Sequence, residues 1–364
     1  MTDTEGAVTE VDGTQLDADR LGRYTFATWG FKQGEMVSLM IHLGHRLGIY
    51  EALDGMGTVT ATGLADRTGL HERWLSEWLR GQAAAGLLVS DDGESFLLEP
   101  EAAAVLARPD QRTYAAGVFS NIRPLEVVDA LADAFQTGLG ITYDGQGVGA
   151  AHQTDAMLGP MARALLLPVI IPALGGVEDK LVAGAKVVDV GCGAGTVLGL
   201  LAEKYPSSSF VGYDPSLHAV ALAEERLGGV GNIEVLPVGG EDLPATGDVD
   251  LVLTMDCLHD MPRPDTVMSA IRGAIADDGT WLIKDIRSSS SWADNRRNPM
   301  LALMYATSVA SCLSSAMSAP DSLGLGTMGL NPDVAEAMTG DAGFTRFVRH
   351  DFDDPVNLYY EVRP

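Results

Sequence analysis

The spacing of apolar residues changes character near residue 185. Upstream it is mostly helical: residues 35–53 (EMVSLMIHLGHRLGIYEAL) place apolar positions on one helical face. In TVTATGLADRTGLHERWLSEWLRGQAAAGLLVSDDGESFLLEP (58–100) a short helix is predicted to end at Gly69. A second is predicted from about His71 to Ala85, with Gly86 as its stop. A hairpin follows, LLVS and FLLEP turning at Asp92-Gly93. Residues 111–184 again read as helical (VVDALADAF, MARALLLPVIIPAL), with glycines between 138 and 149 marking a loop. From Ala185 onward, strand-like runs alternate with helical ones: KVVDVG, TVLGLLAEKY, FVGYD, AVALAEERL, IEVLPV, DLVLTMD, VMSAIRGAI and TWLIKDI. That alternation predicts an α/β fold with a parallel sheet. The final runs, FTRFVRHD and NLYYEVRP, are joined by DDPV and predict a closing antiparallel hairpin.

The polar start, MTDTEGAVTEVDGTQLDAD, shows no apolar periodicity. It predicts a flexible acidic tail over residues 1–20 and lacks the basic and apolar regions of a secretion signal. The expected organisation is then a helix–turn–helix–hairpin unit over 21–110, a mostly helical connector over 111–184, and an α/β domain over 185–364. Within the last, residues 287–340 should lid the substrate pocket.

Composition narrows the partners. A formal net charge of −26 repels phosphate backbones and anionic lipid, so neither nucleic acid nor a membrane is expected. Helix, turn, helix and hairpin make a winged-helix pattern, which serves either DNA reading or dimerisation. Residues 21–110 hold seven Lys/Arg against twelve Asp/Glu, a balance of 7 − 12 = −5, and Glu72, Arg73, Glu77 and Arg80 cancel on the second helix. The phosphate attraction that dominates DNA affinity is missing, which favours a homodimer. The uncharged stretch 298–320 carries six Ser/Thr with a proline near each end, and reads as a buried pocket-lining helix rather than a span. Three widely separated cysteines (Cys192, Cys257, Cys312) build neither a disulfide framework nor a zinc site, which fits a cytoplasmic protein without a metal.

The chemistry concentrates in VVDVGCGAGT (187–196), a strand running into a glycine-rich turn that opens a helix. Its glycines, Gly191, Gly193 and Gly195, have G-x-G-x-G spacing, whereas a dinucleotide fingerprint wants glycine where Thr196 stands. Asp189, two residues before the first glycine, would repel a pyrophosphate and suits a cationic amino-acid ligand. Asp214, with Pro215 after it in FVGYDPS, is placed to bind ribose hydroxyls. On these residues, DVGCGAG and YD, the segment 185–364 resembles a class I S-adenosylmethionine-dependent methyltransferase. The whole chain resembles a bacterial family with an N-terminal winged helix and, more distantly, the plant-type small-molecule O-methyltransferases. The resemblance implies a Rossmann-like seven-stranded sheet, S-adenosylmethionine as cofactor and a small-molecule acceptor. The family pattern places an acid where this chain has Gly239 in GGEDLP, so adenine recognition is expected from Gly240, Glu241 or Asp242 and backbone N–H groups.

Methyl transfer from a sulfonium is mainly a matter of holding the nucleophile in line. A base is needed only when the acceptor arrives protonated, as a hydroxyl does. In MDCLHDMP (255–262), Asp256 is expected at the reacting end of the cofactor. His259 matches the histidine that is general base in the resembling O-methyltransferases, and Asp285, ending TWLIKD, matches an acidic position able to orient it. A structural histidine is the other reading. Asp294-Asn295, Asn298-Pro299 and Tyr305 match the bacterial family's lid pattern, and Met300, Met304, Tyr305 and Cys312 are expected to form an apolar pocket wall. Trp29 and Phe31 are expected in the dimer core. The rivals are an S-adenosylmethionine-sensing transcriptional regulator, an N- or C-methyltransferase needing no base, and a nicotinamide oxidoreductase; Thr196 and the final hairpin disfavour the last.

Overall fold

The computed structural model describes residues 8–11 and 14–364, which divide into two compact units, one through Ser120 and one from Asn121 to Pro364. In the first unit β1 (Val8–Val11) pairs antiparallel with β2 (Thr14–Asp17). Asp17 then caps α1 (Ala18–Arg46), accepting a hydrogen bond from the Arg20 N–H at 2.9 Å. The expected tail is therefore structured where it is described: a polar hairpin has no apolar alternation to betray it, and an N-cap aspartate reads as one more acidic residue. The rest of that tail, residues 1–7, 12 and 13, lies outside the described residues.

The winged-helix elements follow: α2 (Ile49–Leu53), α3 (Ala61–Thr68), α4 (Glu72–Ala84) and α5 (Pro100–Leu106). Gly69 closes α3 in the left-handed region at φ 72°. The wing is short, held by bridges Val59↔Phe96 and Val89↔Leu97, so its third pairing partner comes from ahead of α3. Tyr50, Leu53, Leu64, Leu79 and Phe96 form the core of this unit. Tyr24, Phe26, Trp29 and Phe31, on the first half of α1, remain exposed.

The second unit opens with α6 (Leu125–Thr137), α7 (Val148–Leu165), a π-helical turn at 166–170, α8 (Ile171–Ala173) and α9 (Val177–Ala183). The α/β region comprises β3 (Lys186–Val190), α10 (Thr196–Lys204), β4 (Ser209–Tyr213), α11 (Leu217–Leu227), β5 (Ile233–Leu236), β6 (Val249–Met255), α12 (Pro264–Ala274) and β7 (Ile275–Ile286). After it come α13 (Trp292–Asn295), α14 (Leu301–Thr307), a second π-helical turn at 308–312, α15 (Leu313–Ala316), α16 (Pro332–Asp341), β8 (Arg346–His350) and β9 (Asn357–Arg363). The seven strands lie in the order β5-β4-β3-β6-β7-β9-β8, with β3 to β7 parallel and β9 antiparallel to both neighbours. Successive residues face opposite sides, so Val187 and Leu251 enter one core while Val188 and Val252 enter the other.

Residues 121–184 are not a separate connector. Leu165, Leu166, Ile170, Ile171 and Leu174 belong to the core under one sheet face, and α7 packs on α10 and α11. Sequence spacing predicts a helix but not which sheet covers it. Val148–Ala173 is the one helical stretch, among the described residues, long and apolar enough to cross a membrane; here its apolar side serves that core.

Candidate active site

Strand order reverses between β3 and β6, which opens a crevice at their carboxyl ends. The turn after β3 carries Gly191 at φ 74°, its N–H donating to the Tyr213 carbonyl at 2.7 Å. A Cβ on Gly191 would lie 2.7 Å from Cys257, so both the backbone angle and the close approach of the next strand require glycine. Across the crevice, Asp214 accepts from the Gly193 N–H at 2.8 Å and the Ser216 N–H at 2.9 Å, joining the glycine turn to the end of β4. Burial raises the Asp214 carboxyl above its usual range against those two bonds. Asp189 is 1% exposed, and its Oδ1 has no hydrogen-bond partner. Burial, then the Asp214 charge, hold its carboxyl well above the usual carboxylate range. A buried carboxylate oxygen with an unfilled valence is what a cationic amine would satisfy.

The crevice continues into a cavity lined by Asp189, Gly191, Gly193, Asp214, Pro215 and Asp256 among the expected residues. Asp256 is itself at φ 59°, with its carboxylate bound to Lys284 Nζ and Asn357 Nδ2 and its N–H donating to the Lys284 carbonyl at 2.7 Å. Burial raises Asp256, and Lys284 pulls it back. Its carboxylate is thus engaged inside the protein, so it frames the cavity end rather than standing free to meet a ligand.

His259 occupies the helical turn after β6 at 2% exposure. Its Nδ1–H donates to Asp285 Oδ1 at 2.8 Å, and that oxygen also accepts from the Ile286 N–H at 2.7 Å. Cys312 adds a smaller upward influence on the same imidazole. Burial opposes protonation of His259, but the Asp285 charge and its hydrogen bond outweigh it and hold the imidazole well above its ordinary pKa. His259 does not line the cavity, whereas Cys257, Asp260 and Met261 around it do. Burial lifts the Asp260 carboxyl to about 7, against the pull of His259.

Several expected residues stand elsewhere. Gly195, at φ 73°, fits under Leu227 of α11 and shapes the turn from behind. Gly240 is buried against Val190 and Val267, and Asp242 is exposed. Glu241, also exposed, folds back so that its carboxylate fills the place a side chain at Gly239 would take. Met300, Met304 and Tyr305 do not wall the cavity. Met300 and Tyr305 are exposed, Tyr305 packs on Trp292, and Met304 Sδ accepts from Asn298 Nδ2 at 3.3 Å. The reason is helical phase: the lid turns Ser315 of α15 to the cavity and Cys312 to His259.

Other cavity residues escaped the sequence reading. Asp155 of α7 accepts from Thr196 Oγ1 at 2.6 Å and from both Arg226 terminal nitrogens at 2.9 and 2.6 Å, bolting α7 to the glycine turn and α11. Burial works against the Asp155 charge, but these bonds prevail and lower its pKa. Tyr143, from the loop before α7, also reaches the cavity. No motif marks either residue. Lys284 did leave a signal, the basic–acidic pair Lys284-Asp285 at the carboxyl end of an otherwise apolar parallel strand.

Residues 181–323 match a family described as a methyltransferase domain, and residues 35–108 match the Rv2258c-like winged HTH domain. A 57-residue segment is 42% identical to the ribosomal RNA small subunit methyltransferase H of Coprothermobacter proteolyticus, and the chain spans only 19% of that relative's length. Solved structures resemble nearly the whole chain in fold. A Nostoc punctiforme protein described provisionally as an O-methyltransferase has TM-score 0.69 at 18% identity, covering 93% of this chain and 98% of its own. Human N-acetylserotonin methyltransferase, in complex with SAM, has TM-score 0.64 at 16% identity, with 97% and 99% covered. The mitomycin 7-O-methyltransferase MmcR has TM-score 0.62 at 20% identity, with 95% and 99% covered. The glycine turn, the partnerless Oδ1 of Asp189 and the Asp214 bridge fit S-adenosylmethionine, the donor such domains use, and residues 181–323 form a methyltransferase domain that follows an Rv2258c-like winged helix.

Proposed function

We propose that the chain methylates a hydroxyl on a small-molecule acceptor, with His259 as the proton-accepting base. The observation that carries this reading is the buried 2.8 Å hydrogen bond from His259 to Asp285 behind the cavity wall. When bound, S-adenosylmethionine supplies an electrophilic methyl group on a sulfonium. Asp189 would hold its ammonium, Asp214 its ribose hydroxyls, the turn at Gly191 and Gly193 would let its backbone approach, and Glu241 would take the adenine role that Gly239 leaves vacant. A hydroxyl loses its proton as it attacks, so a neutral imidazole is needed beside it. Asp285 fixes the ring so that Nδ1 carries hydrogen and Nε2 is left to receive the proton. The mostly apolar surface of the cavity does not oppose dispersal of the sulfonium charge.

Relatives of the same fold named for N-acetylserotonin and mitomycin support a small-molecule acceptor. The acidic winged helix supports scaffolding over DNA binding, in a cytoplasmic homodimer. The exposed Tyr24, Phe26, Trp29 and Phe31 of α1 offer the apolar surface a second copy would bury. Light scattering of a Trp29→Glu/Phe31→Glu variant checks this: an unchanged mass discards the interface.

The function is tested by incubating the full chain with S-adenosylmethionine and a small-metabolite extract, then identifying products that gain a methyl group by mass spectrometry. An O-methylated product made by wild type and not by His259→Ala is expected. Undiminished turnover by His259→Ala would instead indicate an acceptor that needs no base.

A further inference from the structure

Five carboxylates line the crevice and its cavity, those of Asp155, Asp189, Asp214, Asp256 and Asp260. Among the described lining residues one cation stands with them, Lys284. Acids in excess suit a donor that carries both a sulfonium and an ammonium, which leaves the lone lysine to be accounted for. Lys284 is buried, and its Nζ donates to Asp256, whose other oxygen accepts from Asn357 Nδ2. A lysine ammonium has three N–H donors. Among the described residues only this one finds an acceptor, so two are left over at a cavity wall.

The phase of the sheet decides which end of a ligand those donors meet. Across β3, β6 and β7, Asp189 lies beside Leu253, Leu253 beside Leu282, and Met255 beside Lys284. Val187, Leu253 and Leu282 enter the core that α7 joins through Leu165, and alternation along each strand sends Asp189 and Lys284 to that same side. Tyr359, opposite Lys284 on β9, belongs to the same core and also lines the cavity. Ile283 enters the other core, and Asp285 follows it there to hold His259. From one sheet face, two strands apart, the cavity is therefore offered an open carboxylate oxygen and an ammonium with donors to spare. Strand spacing puts their backbones about 10 Å apart, a gap that the lysine side chain narrows. An α-amino acid carries the complementary pair, an ammonium and a carboxylate on one carbon.

We propose that Lys284 binds the α-carboxylate of S-adenosylmethionine while Asp189 binds its ammonium, so that together they read the amino-acid end of the donor as a zwitterion. His259 and Asp285, on the opposite face, are left to the acceptor. Asp256 is a positioning residue that acts through Lys284, and Asn357 fixes Asp256 in turn. The pairing also keeps the buried ammonium compensated before the donor arrives, because a buried charge without a partner is strongly destabilising. This rests on the methyltransferase reading and names the residue that recognises one end of its donor.

The test titrates the full chain calorimetrically with S-adenosylhomocysteine, with its decarboxylated analogue, which keeps the amine, and with 5′-methylthioadenosine, which lacks the amino-acid end. Wild type is expected to bind S-adenosylhomocysteine about tenfold or more tighter than the decarboxylated analogue. Lys284→Met/Asp256→Asn removes both charges of the pair, so that neither is stranded. It should bring that ratio near one while binding the decarboxylated analogue about as tightly as wild type. Lys284→Gln/Asp256→Asn, closer in polarity to the original pair, carries the same expectation should the first variant fail to fold. Asp189→Asn should weaken both amine-bearing probes together, leaving their ratio and the methylthioadenosine affinity unchanged. The inference is overturned if wild type does not prefer the carboxylate, or if a folded double variant keeps the preference. Wild type that binds none of the three probes would overturn the donor site itself, and the inference with it.

Discussion

Nδ1 of His259 lies 2.8 Å from Oδ1 of Asp285, with both side chains almost wholly sealed from solvent. Asp285 Oδ2 has no hydrogen-bond partner, so the carboxylate's bonding is concentrated on the oxygen that faces the imidazole and the Ile286 N–H. Asp285 thereby outweighs burial and favours the imidazolium.

A base works only when deprotonated, so turnover should rise with pH through a value well above the ordinary histidine pKa of about 6.5. Asp285→Asn removes the charge responsible, and the rising limb should move to lower pH while the plateau falls. His259→Ala should lose turnover on the order of 100-fold or more yet keep S-adenosylhomocysteine affinity. A pH–rate profile with the same midpoint in wild type and Asp285→Asn would contradict the pairing's role.

The same shift has a stability consequence. A histidine whose folded-state pKa is raised stabilises the fold fully below about 6.5, and that contribution disappears as pH climbs through the folded-state value. In urea unfolding, the destabilisation caused by His259→Gln should therefore be larger at about pH 5.5 than at about pH 9.5. Equal destabilisation at both would mean that the imidazole gains no proton affinity on folding.

Asp189 should trade stability for binding. Its carboxylate is buried with one oxygen partnerless, so Asp189→Asn without ligand is expected to be at least as stable as wild type. Affinity for S-adenosylmethionine should fall about tenfold or more, because the group that satisfies that oxygen loses its partner. Thermal unfolding with and without S-adenosylhomocysteine reads both quantities. A destabilised variant that binds normally would make Asp189 structural.

Asp155 ties α7 to the glycine turn, and Asp155→Ala strands Arg226 and Thr196 together. Arg226 is 41% exposed, so solvent takes up part of the loss and the expected cost is about 1–2 kcal/mol. The KM for S-adenosylmethionine should rise with kcat little changed, since the glycine turn loses its brace. Unaltered stability and KM together would remove Asp155 from the site's framework.

Much of the site was legible because it is local. DVGCGAG and FVGYDPS encode their own strand–turn–helix geometry, and the closing hairpin follows from two runs and a short joint. The pair of His259 and Asp285 could be matched because one follows β6 and the other lies near the end of β7, its parallel neighbour in the sheet. The lid misled because Met300, Met304 and Tyr305 were grouped by apolarity, whereas helical phase decides which of them faces inward. Glu241 was one of two candidate acids, and only the backbone fold of Gly239–Asp242 brings its carboxylate over the glycine.

By itself, then, the sequence determined the class of fold, the donor-binding turn and the acidic balance of the winged helix, since these depend on periodicity, turn chemistry and net charge. Only the tertiary structure decided that residues 121–184 belong with the α/β region, that Asp155 braces the glycine turn, and that Lys284 and Asn357 claim Asp256. Those relationships join residues far apart along the chain, and side-chain satisfaction across such distances leaves no period in the sequence to read.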